Sequence, residues 1–288
     1  MGSLMIIGGA EDRTDNMEIL KKFIALAGGG DQPLVVITAA STVPSKVWEM
    51  YQSAFDTLDA RNVRHLPIAD RTEADDPEIA RAIAEARGVF ITGGDQKRLM
   101  AIIGGTRSGD ALRVAWRDNG ACLTGTSAGA SGMGTHMMAE GKAELAPEKG
   151  AAKVAPGLGF VPRVVIDQHF SQRHRINRLL SVIAQSPFLL GAGIDENTAL
   201  IVHGNTGVEV MGEGAVTVVD CRNATTNIVD VRPGEVPELV DVRLHLLPSG
   251  SAFRATAEND ADSGHLPPDA KPANAAMNDF IRYLTKDH

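Results

Sequence analysis

The chain has 288 residues, 43% of them hydrophobic and 22% charged, a length that buries a full core and lies between one large domain and two modest ones. Its formal net charge is −8, which excludes the basic footprint that phosphate binding needs, so no nucleic-acid partner is expected.

Taken in order, the first half alternates strands and helices. Leu4–Ile7 reads as a strand ending in Gly8-Gly9. The residues before it carry no basic stretch, and the apolar run is four residues long, so neither a signal peptide nor a membrane span is expected there. Asn16–Ala27 has helical periodicity and closes on Gly28-Gly29-Gly30, and Leu34–Thr38 is a β-branched strand. Ser45–Leu58 places Trp48, Tyr51, Phe55 and Leu58 at helical spacing. Val63–Ile68 is a strand, Pro77–Ala86 a helix, and Val89–Thr92 a strand running into Gly93-Gly94. Lys97–Ile103 and Ala111–Asp118 are helical, and a short apolar strand then leads to Gly125. Such alternation predicts an α/β fold, a doubly wound, mostly parallel sheet with helices on both faces. Ligands in such sheets sit beyond the carboxyl ends of the strands, where Gly8-Gly9, Gly93-Gly94 and Gly125-x-Ser127 all fall.

The second half begins with a strand at Val164–Gln168, a helix over Arg173–Gln185 and a strand at Ala192–Asp195. Short β-rich runs follow at Leu200–His203, Val208–Met211, Ala215–Asp220, Asn227–Val231 and Val240–Leu247, read as antiparallel hairpins that extend the sheet. Residues 1–250 are thus expected to form one domain. Residues 251–288 are set apart as a linker-like tail, rich in Asp, Pro, Ala and Asn from Ala255 to Ala276, with a short helix over Ala275–Thr285. The two cysteines, Cys122 and Cys221, lie far apart with no C-x-x-C, as expected of reduced core thiols in a cytoplasmic protein.

The stretch Leu123-Thr124-Gly125-Thr126-Ser127-Ala128-Gly129-Ala130 has the form of a nucleophile elbow, a sharp strand-to-helix turn that lifts a serine above the sheet. The strained turn demands small neighbours, although small-residue turns of no consequence share this pattern. A nucleophilic serine needs a base, and the base an orienting acid. Of eight histidines, His169 is best placed, at the end of a β-branched run; His136, close behind the elbow, stays open, and His65 lies mid-strand. Asp195 and Glu196 offer carboxylates at another strand end, but neighbours on an extended chain point opposite ways, so both would not serve one imidazole. Arg173, Arg175 and Arg178 follow His169. Arg175 and Arg178 share a helical face and are placed to clamp one carboxylate, unless that face is simply solvated. Gln96 is placed either to donate to a substrate or to cap the helix that follows.

Together these segments resemble the cyanophycinase family, serine peptidases related to peptidase E that degrade cyanophycin, a polyaspartate carrying arginine on each β-carboxyl. The resemblance rests on Ile6-Ile7-Gly8-Gly9-Ala10-Glu11-Asp12, Ile91-Thr92-Gly93-Gly94-Asp95-Gln96 and Gly125-Thr126-Ser127-Ala128-Gly129-Ala130. It rests equally on Asp167-Gln168-His169-Phe170-Ser171-Gln172-Arg173-x-Arg175-x-x-Arg178-Leu179 and Gly193-Ile194-Asp195-Glu196-x-Thr198-Ala199. It implies a glutamine-amidotransferase-like fold, with Ser127 as nucleophile, His169 as general base and Glu196 as the orienting acid. It also implies an oxyanion hole from the N–H groups of Gly94 and Ala128. Gln96, Asp167, Gln168, Arg173, Arg175 and Arg178 become substrate-recognition positions. No cofactor or metal is implied, and a homodimer is compatible.

Three other functions compete. A peptidase E-like enzyme would cleave α-linked aspartyl dipeptides, and a retuned relative other β-aspartyl or isopeptide bonds. A non-catalytic binding module on the same fold is a second, against which the complete Ser127, His169 and Glu196 set counts. A metallohydrolase using Asp167, His169 and His174 ranks last, because their spacing matches no ligand motif.

Overall fold

The computed structural model describes residues 1–256 and 265–286. Five parallel strands form the heart of the large sheet: β1 (Leu4–Ile7), β2 (Leu34–Ile37), β3 (Val63–Leu66), β4 (Gly88–Ile91) and β5 (Cys122–Thr126), in spatial order β1-β5-β4-β2-β3. Buried residues, mostly apolar, run along β1, β2, β4 and β5 on both faces because both faces are covered, while the edge strand β3 carries Arg64 and His65. Met5, Ile7 and Phe90 pack under α1 (Glu18–Leu26) and α2 (Pro44–Thr57) with Phe23 and Phe55. Phe23 and Phe90 meet edge to face, with centroids 5.4 Å apart. Truncating Phe90 to alanine would cost about 3–5 kcal/mol. Leu4, Ile6, Val35 and Ile91 fill the opposite core. There the short α3 (Arg71–Ala74) precedes α4 (Pro77–Glu85), α5 (Gln96–Ile103) and α6 (Arg107–Arg113), which contribute Ile83, Leu99 and Leu112.

After β5 come α7 (Ala128–Gly132) and a hairpin of β6 (His136–Gly141) and β7 (Ala152–Pro156) that carries no periodic signal in the sequence. β8 (Val164–Gln168) is followed by α8 (Ile176–Gln185) and β9 (Leu190–Ile194). β10 (Thr198–His203) and β11 (Gly207–Gly212) return to the large sheet, β10 pairing antiparallel with β1. β12 (Ala215–Asp220) pairs with β9, the two-residue strands β13 (Thr225–Thr226) and β14 (Leu239–Val240) pair with each other, and β15 (Arg243–Pro248) flanks β12. β16 (Ala252–Arg254) and β17 (Lys271–Pro272) complete the large sheet, and α9 (Ala275–Thr285) closes the described chain.

Several expectations need correction. The β-rich second half does not simply extend one sheet: β8, β9, β12 and β15 form a second, four-stranded sheet in the order β15-β12-β9-β8. Asn227–Val231 is a turn, with the Asp230 N–H bonded to Asn227 O. The run Val240–Leu247 is broken at Asp241, whose φ is +60°. The helix expected at Ala111 begins at Arg107, where Thr106 caps it, and loosens into a π-helical turn over Val114–Asp118. The helix expected from Arg173 starts at Ile176; Ser171–Arg173 form a 3₁₀ turn and His174 is left-handed, with φ +50°. The C-terminal segment is not a free linker where it is described. Met277, Phe280, Ile281 and Leu284 of α9 lie at helical spacing and are buried in the same core as Leu4 and Ile6. Residues 257–264, within the stretch read as linker-like, and residues 287–288 lie outside the described residues. Among the described residues, no helix is long and apolar enough to cross a membrane.

Candidate active site

The site is assembled at the carboxyl end of β1. There the backbone of Ile7-Gly8-Gly9 collects three other segments. Ile7 O accepts a hydrogen bond from Ser127 N–H (3.1 Å), Gly8 O from His169 N–H (2.8 Å) and Gly9 O from Asn197 N–H (2.9 Å). A serine, a histidine and the residue after Glu196, far apart in sequence, are thereby fixed to one short piece of backbone.

Ser127 stands at the turn from β5 into α7 with φ +52° and ψ −111°, outside the regions ordinary L-residues occupy. The flanking glycines are steric necessities. A Cβ on Gly125 would come 2.6 Å from the Gly129 carbonyl carbon, and one on Gly129 would come 2.3 Å from Ile91 O. α7 is only five residues long, so what it offers an incoming anion is its free N–H groups more than a macrodipole.

His169 follows β8 with φ +49°. Its Nε2 lies 2.9 Å from Ser127 Oγ and its Nδ1 2.6 Å from Glu196 Oε1. A carboxylate can only accept, so Nδ1 carries the proton and Nε2 is left as the acceptor for the serine O–H. Burial lowers the His169 pKa below its ordinary value; Glu196 opposes that shift, and the cations of Arg173 and Arg175 add to it. Burial thus favours the neutral imidazole, the form whose Nε2 accepts a proton. Asp195 faces away. Its Oδ1 accepts from Ser171 N–H (3.0 Å) and its Oδ2 from Ala215 N–H (3.1 Å), so it ties β9 to its neighbours.

Gly93 and Gly94 border the serine: a Cβ on Gly93 would lie 3.6 Å from Ser127 Oγ, and one on Gly94, whose φ is +147°, would lie 2.2 Å from Ala40 O. Among the described residues, neither the Gly94 nor the Ala128 N–H has an acceptor opposite it. Asp95, not Gln96, caps α5, through Lys97 N–H and Arg98 N–H. The Gln96 side-chain amide donates to Met138 O (3.0 Å) and Ala139 O (3.1 Å), holding the β6–β7 hairpin beside the site.

The arginines behave differently from expectation. Arg175 and Arg178 do converge on a carboxylate, but it is Asp167 of the chain itself. Arg178 grips it with Nε (2.7 Å to Oδ2) and Nη2, and its Nη1 donates to Gly141 O (2.7 Å). Both partners are buried, Asp167 completely. Arg175 Nη1 donates to the backbone oxygen of Gln168 (2.5 Å) and to its side-chain oxygen, with Asp167 Oδ1 at 3.4 Å. Burial lowers the Arg175 pKa to about 10. Arg173 alone of the three is exposed. His174 is exposed beside it, and among the described residues no group of three or more His, Cys, Asp or Glu side chains is placed to hold a metal ion.

Two contributors went unread in the sequence. Gly9 packs against the His169 ring, and the Gln172 side-chain oxygen accepts from Glu196 N–H (3.0 Å). Gly8-Gly9 registered as a strand end where ligands gather and as part of the family resemblance, with no role toward His169, and Gln172 only as part of the run after His169.

Comparison with known proteins shows the family. The chain is 36% identical over 252 residues to a cyanophycinase of Geminocystis herdmanii, covering 87% of this chain and 93% of that one. It is 37% identical over 268 residues to a cyanophycinase of Synechococcus elongatus, covering 93% and 83%. The crystal structure of a peptidase from an acI-B1 Actinobacterium superposes with a TM-score of 0.65 at 22% identity, over 88% of this chain and 97% of that one, and so shares the fold. The sequence pattern of peptidase family S51 matches residues 4–210, from the first residue of β1 to within β11, and so takes in Ser127, His169 and Glu196: the chain belongs to peptidase family S51.

Proposed function

We propose that the chain is a serine-type exopeptidase that hydrolyses cyanophycin to β-Asp-Arg dipeptides through an acyl-enzyme on Ser127. The observation that carries this is the hydrogen-bonded line from Ser127 Oγ through His169 to Glu196, on a chain whose relatives are named cyanophycinase.

In this account Ser127 Oγ attacks an aspartyl main-chain carbonyl while His169 Nε2 takes the hydroxyl proton. The oxyanion that forms is met by the N–H groups of Gly94 and Ala128, both fixed before the reaction begins. Glu196 holds the imidazole and stabilises its cation. His169 then gives the proton to the departing amine, leaving the ester. Water attacks the ester, loses its proton to the same nitrogen, and the serine is regenerated.

For recognition, the exposed Arg173 is the cation left to meet an aspartyl carboxylate. Asp167 and Arg178 are spent on each other in the interior, Arg175 is engaged by Gln168, and Gln96 holds the β6–β7 hairpin. All three triad groups come from one chain, so the chemistry needs no second copy. A cytoplasmic setting belongs to the same proposal, supported by two buried free thiols, Cys122 and Cys221.

Incubation with purified cyanophycin and mass analysis of the soluble fraction tests the proposal. Wild type is expected to release β-Asp-Arg, and Ser127→Ala to lose on the order of 10³–10⁶ in kcat. Preference for plain α-linked Asp dipeptides over cyanophycin would overturn the substrate assignment.

A further inference from the structure

A buried carboxylate lies beneath the serine and takes no part in the chemistry above. Glu11, in the loop after β1, is 2% exposed. Its Oε2 accepts a hydrogen bond from Thr126 Oγ1 at 2.5 Å, and Thr126 is the residue immediately before Ser127. Its Oε1 accepts from the Tyr51 hydroxyl of α2 and, at 3.3 Å, from Arg13 Nη1. Burial and the adjacent carboxylate push the Tyr51 phenol well above its ordinary pKa, so it stays protonated and donates.

Packing does not call for an ion here. Taking a carboxylate out of water costs several kcal/mol before its partners offset it, and an apolar side chain of similar volume fills such a space as well or better. What an apolar side chain cannot do is hold the Thr126 hydroxyl. The Ser127 backbone conformation costs on the order of 1–3 kcal/mol and persists only where its surroundings over-determine it. Two restraints converge on it from the end of β1 and the loop that follows: Ile7 O on the Ser127 N–H, and Glu11 on the side chain of the preceding residue. The same loop holds His169 through Gly8 O, and Asn197 through Gly9 O and Asp12 N–H.

We propose that Glu11 is a positioning residue for Ser127, acting through Thr126 to hold the strained turn in line with His169. This rests on Ser127 being the nucleophile. Glu11 touches neither substrate nor reacting atoms; it sets where the serine oxygen stands.

The test uses a small fluorophosphonate, which reports serine reactivity without the substrate-recognition residues. Wild type labels at Ser127. Thr126→Val keeps the shape and loses the hydroxyl; it is expected to label about 10–100-fold more slowly, with kcat on cyanophycin falling in step, KM little changed and the melting temperature within a few degrees. Thr126→Ala, which adds no methyl in place of the hydroxyl, is read the same way should the valine variant fold poorly. Thr126→Ser restores the rate. Glu11→Gln, which cannot accept from all three donors at once, slows labelling alone and adds little to Thr126→Val. Wild-type labelling by the folded valine or alanine variant, or full additivity of the Glu11 and Thr126 changes, would overturn the proposal. Absence of labelling at Ser127 in wild type would overturn the nucleophile assignment instead.

Discussion

Gly9 lies against the imidazole of His169: a Cβ built on Gly9 would come within 2.3 Å of Cε1 and 2.6 Å of Nε2. The ring is thus held from three sides, by Glu196 at Nδ1, Ser127 at Nε2 and the Gly9 backbone against it. Gly9→Ala would push the ring off that line, and its φ of +99° adds strain for any L side chain. Turnover is expected to fall by about 10² or more, with His169→Ala as the benchmark for complete loss. Steady-state kinetics at unchanged fold checks this, and wild-type turnover in Gly9→Ala would show that the contact has no consequence.

The two adjacent acids should separate cleanly. Glu196→Gln keeps the shape but cannot stabilise the imidazolium, and kcat is expected to fall by up to about 10⁴. Among the described residues, the Asp195 side chain bonds only to the backbone N–H groups of Ser171 and Ala215. Asp195→Asn should therefore act mainly on stability, at about 1 kcal/mol per weakened bond. Chemical denaturation beside turnover measures both, and the reverse ranking would show the acid to be misassigned.

The pH dependence follows from the surroundings of His169. The base must be neutral to take the serine proton, so activity is lost as pH falls through the His169 pKa. Burial chiefly, with Arg173 and Arg175 assisting and Glu196 opposing, holds that pKa below its ordinary value. The acid limb of kcat/KM should accordingly lie below about pH 6.5. Arg173→Gln removes one of the cations that oppose protonation, so its acid limb should move upward. A downward shift would contradict the assignment.

The arginines divide by burial. Arg178→Ala strips the buried Asp167 carboxyl of its two short bonds, leaving it the 3.4 Å contact with Arg175, and is expected to destabilise the fold by about 3–5 kcal/mol. Arg173→Ala, at an exposed position, should leave stability nearly unchanged and weaken kcat/KM on cyanophycin by roughly 10–150-fold, the equivalent of one charge-assisted hydrogen bond. Thermal melts and kinetics on both variants distinguish the two roles.

What the sequence made legible was local. Strands β1, β2, β4 and β5 announce themselves as β-branched or apolar runs, those of β1 and β4 leading into glycine pairs, and the elbow carries its own steric demand in Gly125 and Gly129. His169 stood out because it ends a strand. Non-local pairing was not legible. Nothing in Leu190–Ile194 or Ala215–Asp220 distinguishes a strand that extends the first sheet from one that begins a second. Helical spacing showed that Arg175 and Arg178 share a face, but not that Asp167, buried behind them, is the carboxylate they hold. The β6–β7 hairpin has few β-branched residues and was silent. Gly9 was legible as a strand end in the ligand-binding region but not as a neighbour of His169, because that role depends on an imidazole 160 residues away.

The most direct measurement is to trap the covalent intermediate. Enzyme turning over cyanophycin is quenched in acid, digested, and the peptide containing Ser127 is weighed. An acyl ester of one or more β-Asp-Arg units on Ser127, absent from Ser127→Ala and accumulating when hydrolysis of the ester is slowed, is the predicted result. An unmodified Ser127 peptide, together with near-wild-type release of β-Asp-Arg by Ser127→Ala, would contradict it.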